Sequence, residues 1–177
     1  MAELIGQQYT KKQAAELYGG TYTPGPWVMY GHVSHASDEI LFVSLDKKGM
    51  SEQAQYDDHF ETADRFVWSS QNQTSPESNQ GQKVIASPGN GRKVHLLVRR
   101  KKKEPFTYWG LVLPLSHRGS KPMSVTFRPL TPLAGEMSGL FLVHHQARCT
   151  RGHEGWKIFG DLVDAIEIAR DRRSHNG

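Results

Sequence analysis

Apolar positions in this chain fall into short runs set apart by Gly, Pro and polar clusters, a pattern that predicts strands more than helices. Trp27 to Val33 and Ile40 to Leu45 are aromatic and β-branched runs joined by the polar connection from Ser34 to Glu39, so they are predicted to pair as a hairpin. Further strands are predicted over Arg65 to Ser69, Lys83 to Ala86, Val94 to Arg100, Thr107 to Leu115, Met123 to Pro129 and Leu140 to Gln146. Two stretches carry helical signals instead. Residues 9 to 18 combine a Thr10 cap, good helix formers and a Gly19-Gly20 stop. Residues 160 to 170 place Leu162, Val163, Ile166 and Ala169 on one stripe, with Asp161 near the start and Arg170 at the end. The predicted fold class is α+β: a strongly curved, mostly antiparallel sheet or open β-barrel covered by N- and C-terminal helices.

Length and composition fit that picture. The chain has 177 residues, 37% of them apolar and 10% aromatic, enough for one compact domain with its own core. No apolar run approaches the roughly 18 to 20 residues that cross a bilayer, and the first residues carry no signal-peptide pattern, so a cytoplasmic protein is expected. Cys149 is the single cysteine, which rules out an internal disulfide and a four-cysteine zinc site.

Charge changes the picture more. Residues 91 to 128 hold 10 Lys or Arg against one Asp or Glu, a balance of +9, whereas residues 1 to 90 hold 6 against 11. A basic stretch inside a folded domain is an electrostatic footprint for a polyanion, nucleic acid first among them; the alternative is a solvated face. Arg99, Arg100, Lys101, Lys102 and Lys103 end one predicted strand and Phe106 to Trp109 begin the next, so the run is expected at a hairpin tip with aromatics, Tyr108 included, beside it. Arg92, Lys93, His117, Arg118, Lys121 and Arg128 are expected to extend it into one patch that meets about five or six phosphates.

The stretch from Ser69 to Gln80 has no apolar residue, but Tyr56 and Phe66 to Trp68 lead into it, which favours an anchored recognition loop over a free tether. Tyr56, Asp58, Trp68, Ser70, Gln71 and Asn72 together offer stacking faces with hydrogen-bond donors and acceptors, the mixture that holds an extruded base. The bland alternatives are core packing for Phe66 and Trp68, and a turn cap or a pair with Arg65 for Asp58.

One ordered set of residues is familiar. Phe42 to Lys47, Tyr56-x-Asp58, Phe66-x-Trp68-x-Ser70-Gln71-Asn72, Ser78-x-x-Gly81, Val94 to Arg99, Phe106-Thr-Tyr-x-Gly110 and Ser116-His117-x-Gly119-x-x-Pro122-Met123 stand in this order. Over roughly residues 8 to 130 the chain resembles the uncharacterised domain found at the C-terminal end of many bacterial superfamily II DNA helicases. Residues 131 to 177 have no counterpart in that resemblance. It implies a target-sensing role on DNA in restriction or phage defence, beside a helicase or nuclease effector; the bent sheet read above is expected to form a barrel like those that read modified bases. The chain itself has no Gly-x-x-x-x-Gly-Lys-Ser/Thr loop and no His-x-Lys pair of the phospholipase-D type, so only the sensor is expected here.

Signals for catalysis are thin. His144, His145, Cys149 and His153 could ligate zinc, but their spacing matches no zinc motif, and adjacent His on a strand point to opposite faces. Asp57 and Asp58, with Glu52 and Glu61 nearby, could hold magnesium, yet no Glu-x-Lys follows a strand as a nuclease core requires. The sequence therefore predicts a non-catalytic module for duplex DNA carrying a chemical alteration, with no cofactor. A protein-interaction module with a basic tip, or a metal-dependent nuclease or hydrolase using Asp58 and His117, are the alternatives.

Overall fold

The computed structural model describes residues 4–46, 57–62 and 64–131. Eight strands, β1 (Gln8–Tyr9), β2 (His32–His35), β3 (Asp38–Ser44), β4 (His59–Thr62), β5 (Arg65–Ser69), β6 (Lys93–Arg99), β7 (Phe106–Arg118) and β8 (Ser124–Pro129), join in one sheet. Three short helices, α1 (Lys11–Leu17), α2 (Pro26–Met29) and α3 (Asn79–Ile85), accompany it. The strand order is β2-β3-β6-β7-β8-β5-β4, with β1 beside the start of β7; among the described residues β2 and β4 are the outer strands and do not pair with each other, so the sheet is not closed into a barrel. Every pairing is antiparallel except β3 with β6.

That parallel pair lies one strand in from the β2 edge, where both faces are covered. Along β3, Leu41 and Val43 enter one core with Phe60, Phe66, Trp68, Leu96, Trp109 and Phe127, while Ile40 and Phe42 enter a second with Ala14, Ala15, Trp27, Leu97 and Tyr108. A strand buried on both sides reads as an unbroken apolar run, which is what Ile40 to Val43 is. Gly110 manages the crossing of β7 between the two cores. A bulge leaves Trp109 as an extra residue between Leu97↔Tyr108 and Leu96↔Gly110, and Gly110 takes a φ of +89° that glycine adopts freely. The bulge shifts the side-chain phase, so Tyr108 lies in the second core and Trp109 and Val112 in the first.

Several predicted elements fall where expected: the first helix, capped by Thr10, the β2–β3 hairpin, and strands β5, β6, β7 and β8. Two do not. Trp27 to Met29 lie in α2, because Gly25-Pro26 starts a helical turn with Pro at its first position; the strand begins only at His32. Lys83 to Ala86 form the end of α3 and its C-cap. A short apolar pair such as Val84-Ile85 suits either element, and the Ser78 hydroxyl, accepting from the Gly81 N–H at 3.0 Å, nucleates the helix. The predicted strand from Leu140 to Gln146, the helix over 160–170, and His144, His145, Cys149 and His153 lie outside the described residues. No helix among the described residues is long and apolar enough to cross a membrane.

Candidate nucleic-acid interface

The predicted basic patch resolves into separate places along one strand. The β6–β7 hairpin carries Arg100 to Lys103 at its tip, and the β7–β8 hairpin carries Gly119 to Pro122 at the other. These are opposite ends of the 13-residue β7. At about 3.3 Å per residue they stand up to about 40 Å apart.

The first tip is firmly rooted. Arg99 is held at the base: its guanidinium lies over the Phe106 ring at 4.2 Å, and Nε donates to Ser44 Oγ at 2.7 Å. Burial pulls its pKa down. A guanidinium so engaged braces the turn and is poorly placed to reach a phosphate. Beyond it, the Lys101 N–H donates to Glu104 Oε2 (3.2 Å) and the Glu104 N–H to the Lys101 carbonyl (3.0 Å), leaving Lys101, Lys102 and Lys103 exposed on a closed turn. Tyr108, expected beside this tip, is only 1% exposed, with its hydroxyl 2.9 Å from His95 Nδ1.

At the far end, the polar stretch after β5 proves to be an ordered turn. Asp58 (4% exposed) accepts from the Ser69 N–H at 2.8 Å. Ser70 (1% exposed) donates its backbone N–H to the Met123 carbonyl at 2.8 Å and accepts from the Met123 N–H on its hydroxyl at 2.9 Å. The Lys121 N–H donates to the Thr74 carbonyl at 3.1 Å, which fastens the β7–β8 tip to the turn. Gln71, Asn72 and Gln73 are exposed there, as are His117, Arg118 and Lys121. Glu77 belongs to the same corner. Hydrogen bonds from its own backbone and from Ser75 hold its carboxyl below the usual range, and the charges of His117 and Lys121 add to that effect.

The predicted base pocket is therefore divided by depth. Trp68, 5% exposed, sits in the first core, edge-on to His32 at 5.6 Å and tilted against Phe127, so its ring offers no open face for stacking. Asp58 and Ser70 hold backbone in place, Gln71 and Asn72 face outward, and Tyr56 lies outside the described residues. Arg92 is likewise committed. It pairs with the fully buried Glu39, which also accepts from Ser34 and lies 2.7 Å from His32 Nε2, and it donates to the Ala36 carbonyl. Lys93 and Arg128 are exposed on β6 and β8. Sequence reasoning missed Gln73, Glu77 and the Thr74 carbonyl, because residue order does not show that the β7–β8 tip, where Lys121 takes a left-handed φ of +55°, meets this turn. Among the described residues no three His, Cys, Asp or Glu side chains gather into a metal-binding group.

An open, mostly β sheet with few helices and two cationic hairpin tips defines the class. The chain belongs to the family described as a domain of unknown function, DUF3427, which matches residues 4–132. No curated protein matches it in sequence. Among solved structures, it is similar to SUVH5 SRA in complex with hemimethylated CG DNA, at 15% identity and a TM-score of 0.48 over 74% of this chain and 89% of that one. It is also similar to SUVH5 SRA bound to fully hydroxymethylated CG DNA (13%, TM-score 0.46, 74% and 93% of the chains). A third similar structure is the DNA modification-dependent restriction endonuclease AspBHI (11%, TM-score 0.39, 67% and 69%).

Proposed function

We propose that this domain is a non-catalytic DNA-binding module that senses chemically modified duplex DNA, serving a nuclease or helicase partner in restriction or phage defence. One observation carries the reading: the amide-rich turn of Gln71 and Asn72 is fastened to the tip bearing His117, Arg118 and Lys121 by the Lys121–Thr74 bond. Cations hold phosphate without regard to sequence, whereas carboxamides present a donor and an acceptor side by side, the complement of a base edge. With Trp68 enclosed, discrimination falls to Gln71 and Asn72, and Lys101 to Lys103 supply affinity that does not depend on the base.

The two roles separate experimentally. A binding panel at fixed salt compares unmodified, cytosine-methylated, adenine-methylated and phosphorothioate duplexes. The expected result is a preference of about tenfold or more, equivalent to about 1.4 kcal/mol, for one modified duplex, which Asn72→Ala or Gln71→Ala abolishes while affinity for the unmodified duplex stays within about twofold. Equal affinities across the panel overturn modification sensing, and binding that excess mixed DNA fails to displace overturns DNA as the ligand.

A further inference from the structure

We infer that the two cationic tips grip a single duplex at once, about one helical turn apart, with β7 as the fixed spacer between them; this rests on the DNA-binding reading above. The spacer is rigid because its edges are hydrogen-bonded along the strand: β6 pairs with Thr107 to Val112, β1 with Phe106 and Thr107, and β8 with Val112 to Arg118. Each end is preorganised as well. The first tip closes through Lys101 and Glu104, and the second is set by Lys121 in its left-handed conformation, bonded to Thr74. From Pro105 to Leu130 there is no Asp or Glu; the carboxylates at the ends are Glu104, which closes the first turn, and Glu77, beside His117 and Lys121 at the second. A span of up to about 40 Å, shortened by the two bulges in β7, corresponds to about 10 to 12 base pairs at a rise of about 3.4 Å each.

The dependence of affinity on salt tests this, because its slope counts neutralised phosphates and is indifferent to how many overlapping sites a long duplex offers. Affinities for 8-bp and 24-bp duplexes of the same composition are measured between low and moderate salt, for the wild type, for the Lys101→Ala/Lys102→Ala/Lys103→Ala variant, for Arg118→Ala/Lys121→Ala, and for all five changes together. The expected wild-type slope is steeper on 24 bp than on 8 bp by about 2, the contribution of two phosphates at the second tip. On 24 bp each tip variant lowers the slope and the combined variant lowers it by the sum. On 8 bp, which only one tip can hold at a time, each single variant falls back on the other tip and only the combined variant loses the whole tip contribution to the slope. Equal wild-type slopes at the two lengths, or a 24-bp slope that one tip variant leaves unchanged, overturn the shared grip while leaving DNA binding standing. Absence of DNA binding at either length overturns the reading beneath it. Unfolding midpoints of the variants equal to the wild type show that the changes act on binding alone.

Discussion

Glu39 has no exposed surface, and its charge is kept by the groups that surround it. Burial pushes its carboxyl up, but hydrogen bonds from His32, Ser34 and Arg92 outweigh that and hold it below its usual value. Gln80 joins the cluster through His32 Nδ1 at 3.0 Å, tying α3 to the sheet edge. Removing Arg92 leaves a fully buried carboxylate with only His32 and Ser34 to hold it, so Arg92→Ala is expected to cost about 3 kcal/mol in urea unfolding, far more than removal of an exposed lysine. A second buried chain runs from Asp38 through His95 to Tyr108, with His95 Nε2 3.0 Å from Asp38 and Nδ1 2.9 Å from the tyrosine hydroxyl. Burial pushes Tyr108 up to about 12 and pulls His95 down against the attraction of Asp38. The unfolded chain then takes up a proton at His95 at a higher pH than the folded one. The stability contributed by neutral His95 is full above about 6.5 and drains as pH falls through its lowered folded value. Urea midpoints measured from pH 7.5 to 5 are expected to fall for the wild type and to fall less steeply for His95→Gln; parallel curves count against it.

At the level of elements, the turn after β5 depends on a glycine rather than on its exposed residues. A Cβ at Gly81 would come within 2.0 Å of the Ser75 carbonyl oxygen, so α3 can start directly beneath the turn only with glycine there. Gly81→Ala is expected to displace the turn and weaken modified-duplex discrimination at unchanged salt slope; a variant that discriminates like the wild type shows that the turn does not need this support. The turn also shows where sequence reasoning reached and where it stopped. Strands with β-branched or aromatic residues on both faces, β3 and β6 above all, and the Thr10-capped helix were legible because pattern and propensity agree. Lys83 to Ala86 and Trp27 to Met29 were not, because a short apolar pair has no period of its own and the deciding signals, Ser78 and Pro26, stand outside the run. The four-residue β4 and two-residue β1 are too short to show alternation at all.

Across the whole molecule, β3, β6 and β7 contribute to both cores, so neither core can melt while the other keeps its strands. Single-tryptophan variants that retain Trp27 in one core or Trp109 in the other are expected to report the same urea midpoint; midpoints that differ by more than error show two folding units. This scale also governed how much of the site could be foreseen. The composition of the site was visible, down to the lysine run at a hairpin tip, but its partition was not. Whether a tryptophan in an alternating strand faces solvent or core, and whether two cations near in sequence are near in space, depends on strand order, which residue spacing does not encode. Both hairpin ends project beyond the hydrophobic layers that hold the sheet together. Lengthening or exchanging the exposed Lys101–Lys103 turn is therefore expected to leave both cores intact, so the surface presented at that end can change while the scaffold is kept.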